Sequence, residues 1–224
     1  MGTFTLGGAV AAWGRDNVYQ TGPRYPPPMS ELDAFEKRRL DHANRLYRWR
    51  ESAGFVDKLA LSLLFVALAA IAAQLRLYLP FSPVPFTGQV LVVLMAGFVL
   101  GRFGVVSMGL YLVMGAAFGW FSGMMGLSAL TGVTAGYLFG FLLAAFLVGE
   151  LVQSRRCWSF PQLVAVMSLG AASILLLGSI WLSVLLGVGL MEALAIGAVP
   201  FLAVDALKVL LASSFAYALA PRPA

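Results

Sequence analysis

Cys157 and His42 are the only cysteine and histidine in this chain. One cysteine closes no internal disulfide, and one histidine builds neither a metal-ligand cluster nor a nucleophile–base pair. Enzymatic chemistry of those kinds is not expected. The sequence also lacks a Gly-x-x-x-x-Gly-Lys-Ser/Thr loop, so it cannot cradle ATP phosphates by that route. Met1 to Tyr25 shows no basic segment followed by a long apolar one, which argues against a secretory signal peptide and places the first insertion at the first spanning helix. Charge is scarce as well, with Asp, Glu, Lys and Arg together 11% of the 224 residues.

What is abundant is apolar surface. Hydrophobic residues make up 60% of the chain and the mean hydropathy is +0.87, well outside the balance of a water-soluble domain. From Leu59 onward the apolar runs are about 17 to 25 residues long, enough to cross a hydrocarbon core of roughly 30 Å as helix. Short alternating segments of a membrane barrel are missing, so the expected fold is an all-α polytopic membrane protein. The net charge of +5 comes from basic residues crowded beside the first apolar run, a pattern that fits an anionic lipid surface better than nucleic acid.

The expected organisation is a cytoplasmic N-terminal extension over residues 1–56 and a six-helix substrate-binding membrane domain over 57–221. In the extension, Pro26, Pro27 and Pro28 form a stiff spacer without backbone donors. Ser30 then caps a basic amphipathic segment with Leu32, Phe35, Ala43, Leu46 and Tyr47 near helical spacing, read either as an interfacial helix or as a solvated arm. The six spans read as 57–77, 86–101, 103–121, 131–153, 161–187 and 195–220. Six rather than five depends on Gly101, Arg102 and Gly104 turning the chain within an apolar region. With both termini cytoplasmic, Arg45, Arg48, Arg50, Lys58, Arg102, Arg155, Arg156 and Arg222 share the inner side. Only Arg76 and Glu192 then fall in outer loops, as the positive-inside rule requires.

Small residues four apart mark close helix contacts, because helices in lipid gain from backbone approach rather than from hydrophobic drive. Gly97 with Gly101, Gly115 with Gly119, and Gly132 with Gly136 and Gly140 are read as internal packing faces. Ala69 with Ala73, on the first span, is the candidate contact with a partner subunit, with internal packing as the alternative.

Asp205 and Lys208 stand in the last span among apolar neighbours. Each costs about 2.5–3.5 kcal/mol at a helix centre in lipid, and a separation of three residues puts both on one face, so they point inward together. The pair either locks the bundle or holds a solute. The second is favoured, because a carboxylate and an ammonium offer an acceptor and donors to a polar head group, whereas a purely structural pair is often no better than apolar packing. On the same outer side lie Trp120 and Phe121, able to cover a ring, and Thr134 and Tyr137 at the start of the fourth span. Taken singly, these read as interface aromatics and a helix-start hydroxyl.

Three stretches, Gln74-Leu-Arg-Leu-Tyr-Leu-Pro-Phe-Ser-Pro-Val-Pro-Phe-Thr-Gly-Gln89, Gly132-Val-Thr-Ala-Gly-Tyr-Leu-Phe-Gly-Phe141 and Val199-Pro-Phe-Leu-Ala-Val-Asp-Ala-Leu-Lys208, carry a resemblance to the BioY family, the biotin-specific S components of energy-coupling factor (ECF) transporters. It covers about residues 57–220. Val133, Ala135 and Ala203-Val204 depart from the family's Pro, Gly and Pro-Gly, and Met124 and Met125 replace glycines and polar residues.

The resemblance implies an S-component fold and biotin as transported ligand rather than cofactor, with Asp205 accepting from the ureido N–H groups and Lys208 donating to a ligand oxygen. It also implies a transmembrane coupling subunit and two ATPase subunits as partners, with capture outside and release inside the cell membrane. Two rivals stand beside it. One is a non-transporting structural or regulatory subunit of a larger membrane complex; the other, a membrane enzyme using Asp205 as acid or base, lacks a supporting residue set.

Overall fold

The computed structural model describes residues 46–78, 82–155 and 157–220. The Pro-rich spacer and most of the basic amphipathic segment lie outside them. Five stretches of the described residues are long and apolar enough to cross a membrane: Phe55–Gln74, Gln89–Phe118, Ala135–Gln153, Phe160–Leu186 and Leu190–Leu219.

The described residues open on helix α1 (46–52), which precedes α2 (Phe55–Gln74), whose Gly54 N–H donates to Asp57 at 3.2 Å. At about 1.5 Å per residue, the 20 residues of α2 cover about 30 Å. Pro83 and Pro85 then disfavour helix, and the chain forms a hairpin of two-residue strands, β1 (Arg76–Leu77) against β2 (Phe86–Thr87), pairing Arg76 with Thr87.

The second stretch is two helices, α3 (Gln89–Leu100) and α4 (Gly104–Phe118), joined by a 3-10 turn that starts at Gly101 with φ +62°. Gln89 Nε2 donates to the Tyr111 hydroxyl at 2.6 Å across 22 residues, a separation of about 33 Å along a continuous helix. The chain therefore folds back on itself. Gly101 tolerates the left-handed conformation, and Gly104 packs where an added Cβ would sit 3.0 Å from Gly97 Cα. The expected break between the second and third spans is present.

That break leaves the carbonyls at the end of α3 without intrahelical donors. Arg50, buried at the end of α1, caps them: Nε donates to Val99 O at 2.9 Å and Nη2 to Phe98 O. Burial pulls the guanidinium below its usual range, and the adjacent Tyr47 hydroxyl pulls the other way. The extension's last turn is thus tied to the bundle by a helix C-cap.

α5 (Ala135–Gln153) and the long α6 (Phe160–Leu186) form the centre. Gly136 faces Leu177 O and the Trp181 side chain, and Gly140 faces Ile174 Cα at 2.9 Å from an ideal Cβ, so these glycines serve internal packing as expected. Ala69 and Ala73 are fully buried within the chain. This differs from their expected partner-facing place: small residues sit where α2 meets its own neighbours, while Leu63, Leu64, Leu68 and Ile71 cover the exposed face.

The last stretch differs from the single helix expected over 195–220. It comprises α7 (Leu190–Gly197), a 3-10 turn at Val199–Phe201 and α8 (Leu202–Leu219). Pro200 has no N–H for Ile196 O, and Phe201 N–H turns to Ala198 O at 2.9 Å, leaving Gly197 O free as well. Distant side chains fill both vacancies. Ser82 Oγ donates to Ile196 O at 2.8 Å and the Tyr137 hydroxyl to Gly197 O at 2.7 Å.

Candidate functional site

The break at Pro200 sets the start of α8, and two turns of that helix carry the charges inward. Lys208 Nζ donates to Asp205 Oδ1 at 2.7 Å, with side-chain exposures of 12% and 6%. This bond uses one of the ammonium's three hydrogens and one of several acceptor positions on the carboxylate. Both residues line a cavity holding about 570 Å³ of unfilled space, part of it open to solvent. The pair is therefore not sealed in a core.

Aromatic rings surround it. Lys208 Nζ lies 6.0 Å from the centre of the Phe86 ring, Phe86 packs on Phe201 at 4.5 Å, and Tyr137 lies 6.4 Å from Phe201. Tyr137 stays in place because Gly178 on α6 leaves room for its ring, which an added Cβ would overlap. Val84, Pro85, Val90, Leu138, Phe141, Ile174 and Leu175 complete a mainly apolar wall. Such a wall accepts an apolar body, and the few polar groups fix its orientation.

Five of the expected site residues, Asp205, Lys208, Tyr137, Thr134 and Phe121, line this one cavity. Trp120 does not; it stacks on Phe118 at 5.1 Å beside the loop. Phe121 is buried edge-on against Tyr111, in space that Gly115 leaves open.

Sequence reading missed Gln89, Thr87, Ser122 and Phe201 on the lining. Gln89 had a visible signal, being the only residue of α3 with a hydrogen-bonding side chain. Ser122 had none, since a serine in a glycine-rich loop usually faces water. Among the described residues no cluster of three or more His, Cys, Asp or Glu could hold a metal ion.

Comparison with known proteins adds a family to this geometry. The chain is 37% identical over 112 residues to a biotin transporter BioY of Thermotoga maritima, covering 48% of this chain and 64% of the relative. It is 39% identical over 97 residues to a probable biotin transporter BioY of Pyrococcus horikoshii, covering 41% and 57%. The chain thus spans less than two thirds of the length of these curated relatives. Among solved structures, the S-component for biotin from an ECF-type ABC transporter superposes with a TM-score of 0.66 at 26% identity, covering 73% of this chain and 90% of that one. That likeness bears out the expected ECF S-component type of helical membrane fold. The BioY family matches residues 41–223, the whole region in which the described fold and the cavity lie; the chain belongs to the BioY family.

Proposed function

We propose that this chain is a membrane-embedded S component that captures biotin from outside and delivers it across the membrane with an ATP-driven ECF module. One observation carries the reading: a buried carboxylate–ammonium pair opens onto an otherwise mainly apolar cavity in a protein of this family. A cyclic urea presents two N–H donors and a carbonyl acceptor. Asp205 takes the donors and Lys208 supplies the carbonyl's partner. Tyr137, Thr134 and Phe121 shape the wall, and Trp120 supports the adjoining loop through its stack on Phe118.

The same logic assigns the remaining features. The relatives are named transporters, and a binding role needs neither a catalytic set nor a cofactor. Energy comes from a coupling subunit and two ATPase subunits, which supply the phosphate-binding loop missing from this sequence. Both termini are cytoplasmic, with residues 1–56 forming an extension held by Arg50 and facing anionic lipid. The apolar exposed face of α2, rather than Ala69 and Ala73, is available for lipid or partner.

Biotin binding to the purified chain in detergent or nanodiscs, measured by isothermal titration calorimetry, tests the proposal. Saturable binding lost in Asp205→Asn supports it. A native chain that does not bind biotin favours a non-transporting subunit of a larger complex.

A further inference from the structure

The loop after α4 places Phe121 and Ser122 on the cavity lining. A tight turn positions them. Phe121 N–H donates to Met125 O at 3.3 Å and Met124 N–H to Phe121 O at 3.0 Å, so Phe121 and Met125 form one antiparallel bridge. From α2, Gln74 Nε2 donates to Trp120 O and Phe121 O. A turn closed by so few backbone bonds depends on how its own side chains pack.

Two methionines end that turn, and they differ in cover. Met124 is 69% exposed and has φ +57°, the one positive φ outside glycine among the described residues, so the turn already carries backbone strain. Met125 is 38% exposed, which leaves most of its side chain against protein. Met108 and Met167, by contrast, are fully buried and shielded from solutes. A thioether within reach of a peroxide attacks its oxygen: the S–O bond forms as the O–O bond breaks, sulfur is oxidised to sulfoxide, and the peroxide is reduced to water. The product is polar. On Met124 it stays in the open, whereas on Met125 it has to be covered or pull the residue outward. Met125 O holds the Phe121 N–H, so an outward shift reaches the cavity wall.

We propose that Met125 is an oxidation site through which peroxide lowers the affinity of the cavity, by loosening the turn that carries Phe121 and Ser122. Met124, the more exposed of the two, reacts faster and with little effect on binding. The inference rests on the biotin reading for its ligand and adds to it a chemical control of occupancy.

The test treats the full chain in nanodiscs with hydrogen peroxide, locates sulfoxides by peptide mass spectrometry and titrates biotin by calorimetry. A Cys157→Ser background removes the exposed thiol, which also reacts with peroxide. Met124→Leu and Met125→Leu are compared in it, because leucine keeps the volume and apolar character of methionine. Met191→Leu is the control: Met191 on α7 is 81% exposed and off the cavity lining. Peroxide is expected to weaken biotin about three- to tenfold in the background chain, Met124→Leu and Met191→Leu, and less than about twofold in Met125→Leu. Helical circular dichroism should stay unchanged, and methionine sulfoxide reductases of both epimer specificities with dithiothreitol should restore affinity. Full affinity with Met125 oxidised, an equal loss in Met125→Leu, no sulfoxide at Met125 once Met124 has reacted, or a loss of helical signal would each overturn the inference while biotin binding stands. A chain that binds no biotin before treatment overturns the biotin reading and this inference together.

Discussion

Replacing Tyr137 with Phe removes one oxygen atom and leaves the ring on the cavity wall. The lost hydroxyl is the donor to Gly197 O at 2.7 Å, one of two carbonyls freed where Pro200 interrupts the last span. Interhelical hydrogen bonds in membrane proteins average about 0.6 kcal/mol and reach about 1.7. Here the deletion strands a buried acceptor, so the upper part of that range applies, about 1–2 kcal/mol. Stability falls because α7 loses its tie to α5, and the thermal midpoint in detergent should drop by several degrees. Affinity should fall as well, since the start of α8 aims Asp205 and Lys208. A ligand still bound by both charges but with α8 less fixed should lose about three- to tenfold. The assays are thermal unfolding followed by intrinsic fluorescence, and calorimetric titration with biotin. Unchanged midpoint and affinity in Tyr137→Phe would refute the claim that side chains from other helices hold the break together.

A partner experiment uses the other carbonyl. Ser82→Ala should lower the midpoint in the native background, whereas Pro200→Ala restores an N–H that reaches Ile196 O and should make the serine dispensable. Arg50→Gln should destabilise the chain by about 1.5–3 kcal/mol, because a charged donor to two helix-end carbonyls is lost; unfolding by denaturant checks this. Ala69→Leu should destabilise the isolated chain by about 1–3 kcal/mol through overpacking, whereas Leu68→Ala on the exposed face should change little. Gly178→Ala should displace the Tyr137 ring and reproduce the affinity loss of Tyr137→Phe, as read by the same titration.

The spans were legible because length and apolar content are properties of contiguous sequence. The turn between α3 and α4 was legible too, since two glycines flanking an arginine have few uses inside lipid. The broken last span was not. Pro200 stands where a helix start tolerates proline, and the compensating donors come from 60 and 114 residues away. Asp205 and Lys208 were legible because charge in an apolar helix has to face inward. Ser122 and Gln89 were hidden by ordinary polarity and became site residues only when the loop and α3 met at one cavity. The Ala69–Ala73 spacing marked close packing correctly but held no information about whose helix would be packed. Arg50 showed as one of several basic residues, and its capping role depends on a positive φ at Gly101 that no pattern of charges reveals.

The central claim is that the Asp205–Lys208 pair holds a cyclic urea inside the cavity. Its most direct test is biotin titration of the native chain against Asp205→Asn, which keeps the volume but exchanges an acceptor for a mixed donor–acceptor. Loss of a charge-assisted bond of about 1.5–3 kcal/mol should weaken binding about 10- to 150-fold without unfolding the protein. Equal affinity in the native and Asp205→Asn chains would contradict the account.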